Sequence, residues 1–287
     1  GKDCDVISIE IEHVNTEALF HLEKEGVKVF PQPHIIALIQ DKRSQKQFYL
    51  DQGIPTSPFV LTENKEEVKK QAAFLPAVNK LGKEGYDGRG VQIMRNADDL
   101  EKAFDAPGLL EKLIDFDKEL AVIVSRNEAG EVKSFPSVEC AFHPEHNLVE
   151  FLFSPADISS TVEAKARALA EEVIQKLDMV GLLAVELFLT KSGELLVNEI
   201  APRPHNSGHH TIEANYTSQF EQHLRSVMGM PLGETDLRCP AAMVNLLGED
   251  GYTGDAIVEG MDETIKEKGV YLHLYGKKIT KPFRKMG

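Results

Sequence analysis

Two glutamates set in otherwise apolar strands, Glu186 and Glu199, are the residues of this chain whose types and spacing most directly ask for chemistry. The runs Leu182-Leu183-Ala184-Val185-Glu186-Leu187-Phe188-Leu189 and Leu195-Leu196-Val197-Asn198-Glu199-Ile200 flank a polar turn from Thr190 to Glu194, the pattern of an antiparallel hairpin. With Thr190 and Leu195 as the closing pair, counting backward and forward sets Glu186 across from Glu199. Two ionised acids among apolar neighbours repel each other and lose hydration, an arrangement that a bound cation stabilises. Hard carboxylate oxygens beside nucleotide phosphates suit magnesium. A different register sends one glutamate to solvent, and spacing alone leaves both arrangements open.

The chain continues from Glu199 into Ala201-Pro202-Arg203-Pro204-His205-Asn206-Ser207-Gly208-His209-His210. Prolines stiffen this backbone while Arg203, His205, Asn206 and Ser207 supply hydrogen-bond donors suited to an oxyanion. The histidines lack the cysteine partners or H-E-x-x-H spacing of a zinc site. Far upstream, Lys80 to Gly90 carries glycines at 82, 85, 88 and 90 with Lys80, Lys83 and Arg89. Its order is neither that of a P-loop nor that of a dinucleotide site. Glycines let backbone amides approach phosphate oxygens, so the segment is either a plain turn or a phosphate clamp. In Leu110 to Glu119, strand amides near Glu111 and Leu113 and the acid Glu119 offer groups for a base and a ribose, on what is otherwise an ordinary charged strand edge.

The elements that position these groups alternate strand and helix. Val6–Ile9 and Val27–Phe30 read as strands around a helix capped by Asn15. Two such strands make a poor independent domain, so the expectation is a remnant of a larger parallel sheet whose opening part precedes Gly1. A helical pattern runs from Ile35 to Gly53, and Asn64 with Glu67 marks the next helix start. Strands are expected at Leu75–Lys80, Val91–Met94, Leu109–Leu113, Glu119–Ser125 and Val132–Val138. Ser160 and Glu163 form a capping box for a helix over Thr161–Leu177 with an apolar stripe. A further helix lies near Ser218–Val227, and residues 241–287 read as short strands with loops. The fold class is α/β (α+β). Three units are expected: the remnant at 1–33, a main unit at 34–230 with a covering subdomain at about 59–107, and a β-rich unit at 231–287.

A formal charge of −14 argues against nucleic-acid binding. The apolar runs are too short to span a bilayer and no leader pattern opens the chain, which suits the cytoplasm. Cys4, Cys140 and Cys239 are scattered, with no pattern for disulfides or zinc.

Together these residues resemble the ATP-grasp superfamily, and within it the N5-carboxyaminoimidazole ribonucleotide synthases. The resemblance rests on Asp41-Lys42 with Gln45 and Lys46, Gly53-Ile54-Pro55-Thr56, Gly85-Tyr86-Asp87-Gly88-Arg89-Gly90, Glu111 through Glu119, Phe135-Pro136 with Glu139, and Asn198 through His209. It extends to Glu10-Ile11-Glu12-His13. Glu84 and Cys140 stand where the family usually has glycine and asparagine. The resemblance implies an ATP-grasp fold preceded by a Rossmann-like pre-ATP-grasp domain, of which residues 1–33 are the end. It implies ATP and Mg²⁺, with Lys42, Lys80, Gly85, Tyr86, Asp87 and Gly88 at the phosphates. Glu111, Lys112 and Leu113 would lie at the adenine, Glu119 at the ribose, and Glu186 and Glu199 at the metal. Arg203, His205 and Asn198 would line the bicarbonate pocket, and Lys277 and Arg284 would meet the phosphate of 5-aminoimidazole ribonucleotide. A homodimer is the family's usual assembly.

The implied reaction joins bicarbonate to that ribonucleotide's amine while ATP becomes ADP and phosphate. Two other readings stand beside it: another ATP-grasp ligase, such as the formate-dependent glycinamide ribonucleotide transformylase or a biotin-dependent carboxylase, and a non-catalytic nucleotide-binding protein that keeps the fold.

Overall fold

The computed structural model describes residues 1–83, 90–142 and 149–287 of the chain. At the N-terminal end β1 (Val6–Ile7) and β2 (Lys28–Val29) pair in parallel across α1 (Thr16–Lys24). Asn15 caps α1 by accepting from the Ala18 N–H, which satisfies one of the orphan donors of the first turn. Ile9, Leu19 and Val29 pack with Ile36 of α2 (Pro33–Gln40), a small core of their own.

The single helical pattern expected over Ile35–Gly53 is two helices, α2 and α3 (Lys42–Gln52). Asp41 leaves the helical conformation and caps α3 by accepting from the Arg43 N–H. That break places Lys42 at the first position of α3, and Gly53 ends the helix in the left-handed conformation at φ 65°.

Next come β3 (Phe59–Thr62), α4 (Lys65–Lys69), β4 (Ala77–Leu81), β5 (Val91–Met94) and β6 (Gly108–Lys112). The four strands form an antiparallel sheet in the order β3-β6-β4-β5. Val68, Ala77, Met94, Leu100, Ala103 and Leu110 make its core.

The large sheet contains β7 (Phe116–Arg126), β8 (Val132–Ser134), β9 (Val138–Phe142) and β10 (Val149–Ser154). After α5 (Ser160–Lys176) it gains β11 (Gly181–Thr190) and β12 (Leu195–Ala201). The short α6 (Thr211–Ala214) and α7 (Gln219–Val227) follow, and β13 (Ala241–Val244) joins the far edge. The order is β12-β11-β7-β9-β10-β13, with β8 paired to β7. The last residues carry β14 (Gly254–Asp255), α8 (Met261–Thr264) and β15 (Ile279–Thr280). The strand expected over Val132–Val138 is broken in two where the Phe135 side chain turns into the core. The cap of α5 is Ser159 rather than Ser160: Ser159 Oγ accepts from the Val162 N–H, and Glu163 accepts instead from the Ser137 N–H.

Strand alternation gives the large sheet two unlike faces. Leu120, Val122 and Val124 of β7 and Leu183, Val185 and Leu187 of β11 pack on Ala166, Leu169, Ala170, Val173 and Ile174 of α5, the main core. The other face carries Ile123, Leu182, Ala184 and Ala201 against Phe135, and farther along those strands it turns acidic.

Candidate active site

β11 and β12 pair so that Glu186 and Glu199 are direct partners, by a count different from the one expected. Leu189, not Thr190, opposes Leu195, and Leu187 opposes Val197; Asn198 then bulges out before Glu186 meets Glu199. The extra residue on β12 cancels the one-residue offset, so both carboxylates share one face. β7 extends that face, with Ala121 opposite Glu186 and Glu119 opposite Phe188, which makes Glu119 the diagonal neighbour of Glu186. Burial pushes the Glu119 carboxyl up to about 8, with the Glu186 charge adding to the effect and Lys80 opposing it. Burial also raises Glu186, against the pull of Lys42 and Lys80. An acidic surface of this kind gains from any positive charge brought to it.

Lysines supply some of that charge. Lys42 forms an ion pair with Glu199, and burial, then Lys80, depress its ammonium to about 8. Lys80 reaches in from β4, 2.9 Å from Glu111 Oε2, and donates to Asn198 Oδ1 at 3.3 Å. The Asn198 amide nitrogen in turn donates to Glu186 Oε2 at 3.4 Å. The bulged residue therefore links the four-stranded sheet to the acidic face.

Glu111, Lys112 and Leu113 are differently employed. The Glu111 side chain is buried between Lys46, 3.0 Å from its Oε1, and Lys80. Burial pushes this carboxyl up, but Lys80 and Lys46 overcome it and hold it at about 2. Lys112 donates its ammonium to the Phe74 and Leu75 carbonyls and lies over the Phe74 ring. Leu113 donates its N–H to the Pro76 carbonyl at 3.1 Å. The Leu113 N–H and the Lys112 side chain thus serve the four-stranded sheet. Gly85, Tyr86, Asp87 and Gly88 lie outside the described residues, as do Glu84 and Arg89.

The loop after β12 faces the acids from the other side. Arg203 Nη2 lies 3.0 Å from Glu12 Oε1, and Nη1 donates to the Pro204 carbonyl. His205 Nδ1 accepts from the Ser207 N–H at 3.3 Å, which assigns the ring proton to Nε2. That nitrogen lies 3.7 Å from Glu186 Oε1. Burial first, then the Arg203 charge, lower the His205 pKa to about 3, so the ring is neutral. Gln219, at the first turn of α7 and fully buried, holds the loop in place. Its Oε1 accepts from the His205 N–H at 2.9 Å, and its Nε2 donates to the His205 carbonyl at 2.8 Å and to His209 Nδ1 at 2.9 Å. A Cβ at Gly208 would stand 2.3 Å from Gln219 Oε1, so only glycine fits there without displacing the clamp.

Lys277 and Arg284 are engaged within their own segment. Lys277 donates to the Lys285 carbonyl at 2.7 Å and lies over the Tyr275 ring, and Arg284 donates to the Ile279 carbonyl at 2.6 Å. The Lys285 charge reaches Glu186, His205 and His209, and that of His273 reaches His209 as well. Lys285 and Gln219 are site residues that the sequence did not single out, and Glu12 and Lys46 stood in matched strings without a role assigned to them. Lys46 also carried a local signal, one helical turn after Lys42 on α3.

An ATP-grasp domain family model matches residues 47–220 of this chain, a ribonucleotide synthetase preATP-grasp domain model matches 1–40, and a phosphoribosylaminoimidazole carboxylase C-terminal domain model matches 241–287. The N5-carboxyaminoimidazole ribonucleotide synthase of Synechococcus elongatus is 40% identical over the whole chain, which spans 73% of that protein. The chain belongs to this ATP-grasp family. The phosphoribosylaminoimidazole carboxylase of Ogataea methanolica is 41% identical over 99% of the chain, but the chain spans only 54% of its length. The crystal structure of an Aspergillus clavatus N5-carboxyaminoimidazole synthase, in complex with ADP and 5-aminoimidazole ribonucleotide, superposes with a TM-score of 0.90 at 33% identity, covering all of this chain and 76% of that one. Of the candidate residues, Lys42, Lys80, Asn198, Glu186 and Glu199 are linked to one another by ion pairs, hydrogen bonds and strand pairing.

Proposed function

We propose that this protein carboxylates the amine of 5-aminoimidazole ribonucleotide with bicarbonate, spending ATP and giving N5-carboxyaminoimidazole ribonucleotide, ADP and phosphate, in purine biosynthesis. The observation that carries the reading is the opposition of Glu186 and Glu199, with Lys42 and Lys80 on one side and Arg203 and His205 on the other. A family relative that binds ADP and the aminoimidazole ribonucleotide supports it.

Bicarbonate is a poor electrophile because its leaving oxygen departs as hydroxide. Transfer of the ATP γ-phosphoryl to a bicarbonate oxygen releases ADP and gives carboxyphosphate, whose phosphate is a competent leaving group. The amine then forms the new C–N bond, either displacing phosphate from carboxyphosphate or adding to carbon dioxide that carboxyphosphate has released together with phosphate, and the proton that the amine loses passes to the phosphate. In this scheme Lys42 and Lys80 face the phosphates and Glu119 accepts from ribose hydroxyls. Arg203, oriented by Glu12, holds the bicarbonate anion. The neutral His205 offers its Nε2 proton as a hydrogen bond. Asn198 keeps Lys80 and Glu186 in register with each other. Glu111, Lys112 and Leu113 frame the adenine end, Gly85, Tyr86, Asp87 and Gly88 cover the phosphates, and Lys277 and Arg284 receive the ribonucleotide phosphate.

A divalent ion fits the acidic face. Glu186 and Glu199 present hard oxygens side by side, and the raised Glu186 and Glu119 carboxyls support the reading that positive charge is favoured there. Among the described residues no group of three or more His, Cys, Asp or Glu is placed to hold a metal. Phosphate oxygens and water would therefore complete the shell, as Mg²⁺ prefers. When bound, Mg²⁺ supplies charge neutralisation for the phosphates.

Three units, at 1–33, 34–230 and 231–287, a covering subdomain at about 59–107, a homodimer and a cytoplasmic setting complete the proposal. Among the described residues no helix is long and apolar enough to cross a membrane. The test is ADP release by the protein with bicarbonate and 5-aminoimidazole ribonucleotide supplied separately and together. Strong synergy between the two is expected; ADP release indifferent to the ribonucleotide would overturn the reading.

A further inference from the structure

Deep between the two sheets lies a charge cluster that touches none of the paired acids. Lys46 of α3 and Lys80 of β4 take one oxygen each of the Glu111 carboxylate, Oε1 at 3.0 Å and Oε2 at 2.9 Å. The side chains of Lys46 and Glu111 are only 3% and 4% exposed, whereas that of Lys80 is 12% exposed and extends to Asn198. Lys46 also donates to Thr56 Oγ1 at 2.6 Å, and Thr56 donates to the Val197 carbonyl beside the bulge.

We propose that Lys46 is a positioning residue for phosphate binding: by occupying one oxygen of the buried Glu111 carboxylate, it leaves Lys80 held by the other oxygen alone, with its positive charge uncancelled at the cleft. The proposal rests on the reading that Lys80 meets ATP phosphates. Two lysines and one glutamate leave one net positive charge, and Lys80 is the member that reaches Asn198 at the cleft. Without Lys46, the carboxylate is free to chelate Lys80 with both oxygens, drawing the ammonium back and cancelling its charge. Without Glu111, two ammonium groups face each other in a buried setting and repel. Removing both partners leaves Lys80 with a neutral amide in place of the carboxylate and no buried rival, so the two losses should offset each other.

The experiment is calorimetric titration of MgADP into the wild-type chain, Lys46→Met, Glu111→Gln and the double variant, with thermal midpoints recorded alongside. Each single substitution is expected to weaken MgADP at least about tenfold, and the double variant to return within about threefold of wild type, the non-additivity of residues that act through one another. Two results overturn the proposal: Lys46→Met binding MgADP as wild type does, whatever its thermal midpoint, or losses that multiply in the double variant. Should Lys46→Met fail to fold, the double variant measured against Glu111→Gln decides alone, recovery supporting the proposal and further loss overturning it. A wild-type chain that does not bind MgADP removes the functional reading itself, and this inference with it.

Discussion

Asn198 stands bulged between Val197 and Glu199 on β12, and its amide nitrogen donates to Glu186 on β11 at 3.4 Å. One residue thereby does two jobs: it sets the facing of Glu199 toward Glu186, and it tethers Lys80. Glu186→Gln and Glu199→Gln keep this geometry and remove one negative charge each. Both are expected to lower kcat for ribonucleotide-dependent ADP release by about 100-fold or more, since charge stabilisation of a transferring phosphoryl is worth several kcal/mol. A steady-state assay across a magnesium series checks it, and retention of wild-type kcat by either variant would remove that acid from the proposed metal site.

Gln219 makes a separate prediction because its side-chain amide bonds His205 and His209 of the loop. Gln219→Glu keeps an acceptor for the His205 N–H but turns the donor amide into a second acceptor facing the His205 carbonyl and His209 Nδ1. Gln219→Ala leaves the His205 backbone groups without these partners, at about 1–3 kcal/mol for each buried group left unpaired. Both variants are expected to lose turnover through a displaced His205 while binding MgADP as wild type does. Equal losses in turnover and MgADP affinity would show that the loop is not their point of action.

How much of this was legible in the sequence is best judged residue by residue. The pairing of Glu186 with Glu199 was reached through a closing pair one residue off, and the answer survived because Asn198 adds one residue back. Nothing in Val197-Asn198-Glu199 announces a bulge, since the Val197 backbone donates to the Pro55 carbonyl and accepts from Thr56 Oγ1, partners in a distant segment. Helix ends fared better where the signal is local. Asn15 and Asn64 cap the helices expected of them, because each bonds an N–H three residues on. The capping box expected at Ser160 shifted to Ser159 because Glu163 is drawn to the Ser137 N–H, a tertiary contact that local pattern cannot contain. Gln219 and Lys285 were invisible for the same reason: their partners lie in other segments. The opposition of Glu186 and Glu199 was legible because both acids sit in one hairpin, where pairing follows from local counting.

His223 offers a test of the packing between the N-terminal unit and α7. Its Nε2 shares a hydrogen bond of 2.7 Å with the Ser8 hydroxyl, and burial lowers its pKa to about 4. The unfolded ring titrates near about 6.5, so as pH falls from there toward 4 the unfolded chain takes up a proton that the folded chain refuses. His223 therefore contributes stability above about pH 6.5 that is lost as the solution is acidified. His223→Gln keeps a partner for Ser8 and has nothing to titrate. The urea midpoint of wild type minus that of His223→Gln is expected to be more positive at pH 7.5 than at pH 5, and a difference unchanged by pH would place the titration elsewhere.

Glu119 predicts the opposite slope. Its carboxyl is held at about 8 in the fold by burial and the nearby Glu186 charge, whereas an unfolded glutamate titrates near about 4.3. Between these values the folded chain keeps a proton that the unfolded chain has released, so this residue's contribution to stability falls as pH rises and is spent above about 8. Glu119→Gln mimics the protonated side chain at every pH. Measured without nucleotide or metal, its urea midpoint is expected to exceed that of wild type by more at pH 9 than at pH 5. The same variant should bind MgADP less tightly, because an amide is a weaker acceptor for ribose hydroxyls than a carboxylate. Greater stability at high pH together with poorer nucleotide binding is the combination expected of an acid placed for a ligand at some cost to the fold; a variant less stable than wild type at pH 9 would show instead that the ionised carboxylate supports the fold there.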